Sequence, residues 1–275
     1  MSDPYIIDAW AQLPQRDEHM PPEAYPTLER AGTEHVLASG VDPDDVVQLM
    51  DAHGVAKLMV CGWYRPGGPV ISNDEVAAVV ARHPDRFVGV AGVALARPIA
   101  AVRELERAVG ELGFKALRLL PWLRDRLPNH RLYYALYAKC VELGIPFCTQ
   151  AGHTGPRMPS EPGRPVPHLD QVALDFPDLE IVAGHIGYSW TEEMIGVAWK
   201  HDNVYIDTSA WAPRHYPPAL LHYLRTYGQD KVLFGTNFPQ MQLEPCVTEA
   251  LALDLPDDVR EKFFSANAQR VFGLE

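Results

Sequence analysis

The chain has 275 residues, 47% hydrophobic and 22% charged, a composition ordinary for a folded protein that excludes a disordered or low-complexity one. A formal net charge of −12 argues against a nucleic-acid or anionic-membrane partner, since either needs a basic face, and no apolar stretch approaches the roughly 18 residues of a spanning helix. The four cysteines, Cys61, Cys140, Cys148 and Cys246, show no C-x-x-C spacing, and the N-terminus has no signal-peptide pattern, so reduced core thiols and a cytoplasmic location are expected.

In chain order, eight apolar segments bounded by turn residues read as buried strands: 5–12, 57–63, 87–95, 115–122, 146–152, 180–187, 204–210 and 232–239. Apolar residues at helical spacing mark 44–53, 74–82, 99–112, 131–143, 169–176, 192–199, 218–227 and 244–253, and 255–275 reads as a final helix with a short tail. Asn73 and Thr191 are placed to cap helices, and Gly54, Gly113, Gly144 and Gly228 to supply the left-handed residue after one. Strand and helix thus alternate eight times, which predicts a single (β/α)₈ TIM barrel over 1–275. No Gly-x-Gly-x-x-Gly follows the first strand, which removes the simplest dinucleotide-binding fold. The connections after strand one (13–42) and strand five (153–167) are long, and five prolines in the second suit a fixed wall. In such a barrel the strand-to-helix loops build the active-site face.

Three strand ends carry specific signals: Ile7-Asp8-Ala9-Trp10-Ala11-Gln12, Ala183-Gly184-His185-Ile186-Gly187, and Gly235-Thr236-Asn237-Phe238-Pro239. With the closing Asn267-Ala268-Gln269-Arg270-Val271-Phe272-Gly273, they resemble the amidohydrolase-related family, the amidohydrolase-2 branch that includes decarboxylases and lactonases of small carboxylated substrates. The resemblance covers nearly the whole chain. It implies a divalent metal held by His-x-His on strand one, histidines on strands five and six, and an aspartate on strand eight. Those positions are Trp10 to Gln12, Gln150, His185 and Asn237 here, and only His185 matches. An indole cannot coordinate a cation and carboxamides bring no negative charge, so no cofactor is expected. The alternative is a divalent metal hydrolase with a reshuffled site, using His153 and His185 with Asp8.

His185 ends a barrel strand and is assigned as general acid or base, and Asp8 as its companion in catalysis. Gln12, Gln150, Asn237 and His153 are assigned to bind a polar small-molecule substrate, with Trp10 as an aromatic face. Arg118 lies in an apolar strand and must be paired, by Asp8 or Asp207 or by a substrate carboxylate. Tyr64 and Arg65 are further anion-binding candidates. The expected reaction is lactone-like hydrolysis or decarboxylation of a small, cyclic, carboxylate-bearing substrate. The competing class is a non-catalytic barrel that binds a small polar ligand. A homodimer fits a barrel of this kind, although no patch in the sequence marks one.

Overall fold

Short strands too apolar to face water on either side close on themselves in parallel. The computed structural model describes residues 4–13, 22–33, 42–124 and 126–275. The strands are β1 (Ile6–Ala11), β2 (Val55–Cys61), β3 (Trp63–Arg65), β4 (Gly68–Ile71), β5 (Phe87–Val90), β6 (Leu117–Leu119), β7 (Phe147–Gln150), β8 (Ile181–Gly184), β9 (Val204–Asp207) and β10 (Val232–Leu233). Two parallel runs, β1-β2-β5 and β10-β9-β8-β7-β6, are joined at both seams by the bridges Ala11–Phe238 and Ala91–Leu117. The result is the eight-stranded barrel that the alternation predicts. β3 and β4 form an antiparallel hairpin outside it that the strand pattern did not mark.

The helices are α1 (Tyr25–Ala31), α2 (Pro43–Ala52), α3 (Asn73–Arg82), α4 (Pro98–Gly110), α5 (Arg131–Leu143), α6 (His168–Asp175), α7 (Thr191–Lys200), α8 (Pro218–Arg225), α9 (Leu243–Leu251), α10 (Asp257–Glu261) and α11 (Asn267–Phe272). Two expected caps are displaced by one residue. Ser72, not Asn73, caps α3 through a reciprocal capping box with Glu75, and Thr191 is the first residue of α7 rather than its cap. Gly54, Gly113 and Gly144 adopt the left-handed conformation, whereas Gly228 does not; a Cβ there would fall 2.3 Å from the Tyr223 ring. The single closing helix expected over 255–275 is three pieces, α10, a π-helical turn (Lys262–Ala266) and α11. Part of the 13–42 connection lies outside the described residues, and the described part includes α1.

Burial follows strand parity. Ile7, Met59, Val90, Cys148, Val182 and Leu233 form one cluster that fills the barrel, while Leu58, Val60, Phe87, Leu117, Phe147 and Ile181 pack in a second under the helices. At the base of the site, Asp8 is fully buried and accepts hydrogen bonds from Trp10 N (3.1 Å), Thr236 N (2.9 Å) and the Thr236 hydroxyl. It ties β1 to the residues after β10. No helix among the described residues is long and apolar enough to cross a membrane.

Candidate active site

The strands end early because the backbone turns sharply at the residues that line the site. His185 and Asn237 sit at φ 68° and 74°, in the left-handed region, just beyond β8 and β10. Such positions turn a side chain out of the ladder and toward the barrel mouth. The Asn237 N–H donates to Trp10 O at 2.8 Å, which fixes this turn against β1.

Together these ends enclose a cavity of about 180 Å³. Trp10, Gln12, Tyr64, Arg118, Gln150, His153, His185 and Asn237, all marked from the sequence, line it. Two expected residues do not. Asp8 is sealed beneath the cavity, and Arg65 is not part of its lining. Trp63, Trp122, Trp211, Arg124 and Gln240 line it as well and carried no sequence signal of their own. Among the described lining residues there is no aspartate or glutamate.

Arg118 is the electrostatic centre. It is 3% exposed, and its guanidinium lies 3.9 Å from the Trp10 ring centroid. Nη1 donates to Ala11 O and Nη2 to Ala9 O, both at 3.0 Å, while Nε has no partner. No salt bridge joins it to Asp8 or Asp207, although its charge acts on buried Asp207 in the direction that lowers that carboxyl's pKa, so its direct partners are backbone carbonyls and an aromatic face. Arg124, on the turn Pro121–Arg124, donates through Nη2 to Tyr64 O and Val93 O, and its Nε is likewise unpartnered. Burial lowers the Arg124 pKa.

His185 contacts Trp10 with ring centroids 5.0 Å apart, and its Nδ1 lies 2.7 Å from Ser209 Oγ. Burial first, then the Arg118 guanidinium, push its pKa down to about 3, so the imidazole is neutral at pH 7. Asp8 and Asp207 move the other way, to about 7 and about 6, chiefly through burial. The carboxamides form a chain in which Gln12 Nε2 donates to Asn237 Oδ1 (2.8 Å) and to Gln240 Oε1. Gln150 Nε2 donates to His153 O at 3.1 Å. Gln12 Nε2 thus spends both hydrogens on neighbours.

Residues 7–274 match the family model described as Amidohydrolase. Gamma-resorcylate decarboxylase of Rhizobium radiobacter is 25% identical over 294 residues, covering 84% of this chain and 87% of the relative. An uncharacterized TIM-barrel protein from Bordetella bronchiseptica aligns with a TM-score of 0.82 at 25% identity, covering 98% of this chain and 99% of the other. The dihydroxybenzoic acid decarboxylase of Polaromonas sp. JS666, solved with bound manganese and the inhibitor 2-nitroresorcinol, aligns with a TM-score of 0.73 at 19% identity, covering 99% of this chain and 98% of the other.

The bound manganese in that and other decarboxylases overturns the expectation that no cofactor is involved, because related folds imply a divalent metal. The residues present do not fit one. Manganese is held best where carboxylates balance its charge, and the cavity offers none, only neutral amides, an indole and two histidines together with guanidinium groups that repel cations. The reshuffled alternative also lacks a donor set, since no three His, Cys, Asp or Glu among the described residues group closely enough to hold a metal.

Proposed function

The chain belongs to the amidohydrolase family, and from that premise we propose that it is a decarboxylase of a small, ring-bearing carboxylic acid, aromatic in the first instance. The observation that carries this reading is a cavity lined by two arginines and no carboxylate. Arg118 and Arg124 make no salt bridge among the described residues and each keeps an unpartnered Nε, and a buried cation without a direct counter-ion favours an anionic ligand. A cavity of about 150 Å³ holds a benzene ring, so a single substituted ring suits this one. Trp10, Trp63 and Trp122 supply aromatic faces for it. Hydrolysis fits less well, because activating a water calls for a base of the kind that the missing carboxylate would provide. The decarboxylase relatives support the same choice.

The chemistry then falls to the chain's own groups. Arg118, fixed over Trp10, grips the substrate carboxylate and holds the ring beside His185. The negative charge entering the cavity offsets the depression of the His185 pKa and draws a proton onto Nε2. When the bond between the ring and the carboxylate breaks, CO₂ leaves and its bonding electrons stay on the ring carbon. That carbon takes the His185 proton, so each turnover consumes one proton from solvent. The aromatic walls and the amide chain exclude water from the developing carbanion.

The test offers the purified protein 2,6-dihydroxybenzoate and 5-carboxyvanillate, the acids for which structurally similar decarboxylases are named, in D₂O and with and without added manganese. Release of CO₂ with one deuterium on the former carboxyl carbon is expected, and His185→Ala should cut the rate by at least about 100-fold. A protein that releases no CO₂ from either acid, or a His185→Ala variant as active as the parent, would refute the reading.

A further inference from the structure

We propose that Ser209 is a positioning residue for His185: its hydroxyl pins Nδ1 and leaves Nε2 as the one ring nitrogen that faces the cavity. The catalytic consequence rests on the function proposed above, whereas the fixing of the ring does not.

The geometry is specific. Ser209 lies two residues beyond β9, is fully buried, and does not line the cavity. Its Oγ is 2.7 Å from His185 Nδ1, and His185 Nε2 makes no hydrogen bond among the described residues. Ser209 is itself anchored, because its backbone N–H donates to Asp207 Oδ1 at 2.9 Å. The next residue, Ala210, sits at φ 65° and its N–H donates to Thr236 O at 3.1 Å, so the segment is held from both sides. On the opposite flank Trp10 packs against Gly184 so closely that a Cβ there would fall 2.6 Å from its ring. The imidazole is therefore confined between an indole and a hydroxyl that are each tied to a different strand.

A confined ring matters because an imidazole presents either a proton or a lone pair at each nitrogen, and the hydrogen bond at one nitrogen decides which appears at the other. The groups that face His185 are Ser209, Trp10, Arg118, His153 and, behind Ser209, Asp207. Of these only Ser209 bonds the ring. A hydroxyl can donate or accept, but Ser209 also hydrogen-bonds the Asp207 carboxyl, which can only accept when ionised, so the hydroxyl gives its hydrogen there, accepts from Nδ1–H, and proton exchange with anything in the cavity runs through Nε2. Without it, the ring would sample both tautomers and flip about its Cβ–Cγ bond, and only part of the population would hold Nε2 toward the substrate.

The experiment compares the full-length protein with Ser209→Ala, each with its histidines labelled with ¹⁵N. His185 is assigned by the signal lost in His185→Gln. One tautomer is expected for His185 in the parent, and nitrogen shifts averaged between two tautomers in the variant, with an unchanged pattern for the remaining histidines. Kinetics supply a second arm, with kcat lowered about tenfold or more while KM moves less than about threefold. A shifted pH profile of kcat should accompany that loss, since Ser209 acts through the imidazole. Should Ser209→Ala lose the fold on thermal melting, Ser209→Cys, of nearly the same volume but a weaker hydrogen-bond partner, replaces it. Identical His185 spectra in parent and variant would overturn the proposal and assign the ring's orientation to Trp10 packing alone. If neither protein releases CO₂ from an aromatic acid, the decarboxylase reading falls, and the spectra still decide the role of Ser209.

Discussion

Arg118 and His185 are separable by the kinetic constant that each controls. Replacing Arg118 by Met keeps an apolar stem under Trp10 but removes the guanidinium, leaving the Ala9 and Ala11 carbonyls without their donors. A charge-assisted anchor contributes about 1.5–3 kcal/mol, so Arg118→Met should raise KM about 10- to 100-fold, against a smaller change in kcat. The positive charge also depresses the His185 pKa, and its removal should let His185 titrate at higher pH. Steady-state kinetics and an NMR titration of the histidines read the two effects. A KM within twofold of the parent would show that the guanidinium is not the anion anchor. Arg118→Lys should not restore binding, because an ammonium cannot reach two carbonyls while stacking on an indole. The strand-end residues of this site were legible in the sequence, since a polar group closing an apolar barrel strand has one place to point. Arg124, Gln240 and Ser209 were not, because each lies on a turn or just past a strand where nothing in the local pattern says which cavity it adjoins.

The same distinction holds for whole elements. Apolar segments predicted each barrel strand because β-branched runs between turn residues are a local signal. They overran the strand ends, because 185–187 and 234–239 look as apolar as the ladder but contain left-handed residues, His185 to Gly187 in the first and Asn237 in the second. The hairpin of β3 and β4 was hidden for the opposite reason: its strands of three and four residues flank Pro66 and Gly67 and look like a loop. The polar tie next to this hairpin is Asn73, at the start of α3. Its side chain accepts from Gly92 N (2.9 Å) and donates to Gly92 O (2.9 Å) and Glu104 (2.7 Å), and its backbone N–H donates to the Tyr64 hydroxyl. Asn73 therefore joins the hairpin, the end of β5 and α4. Asn73→Ala would leave buried groups of Gly92 unpaired and should cost about 2–4 kcal/mol of unfolding free energy by urea titration. It should also weaken substrate binding, because Tyr64 and the carbonyl that accepts from Arg124 ride on this hairpin. A loss under about 0.5 kcal/mol would mean that the hairpin is held by its apolar contacts alone.

At the scale of the whole molecule, the polar groups sealed inside the barrel make its stability depend on pH in opposing directions. Asp8 and Asp207 have folded pKa values near 7 and 6, raised mainly by burial from an ordinary 3.8. Between about pH 4 and pH 6–7 the folded protein therefore binds more protons than the unfolded chain at these sites, and stability falls as pH rises. His185, lowered to about 3 from 6.5, works the other way, and its contribution grows with pH between about 3 and 6.5. One imidazole offsets one carboxyl, so the three groups together leave a net decline of roughly one proton, about 1 kcal/mol per pH unit, between about pH 4 and 6. Asp8→Asn isolates the largest part. An asparagine oxygen can still accept from Trp10 N and Thr236 N, and its amide can donate to the Thr236 hydroxyl, so the tie between β1 and the segment after β10 survives. Urea titrations of parent and variant at pH 4, 5, 6, 7 and 8 should show the variant gaining on the parent up to about pH 7 and holding a constant lead above it. The carboxyl would then be a structural group kept protonated under mild acid, consistent with its place beneath the cavity and outside its lining. A difference that does not change with pH would mean that Asp8 ionises as freely in the folded barrel as in the unfolded chain, and the tie would have to be re-read as a charged one.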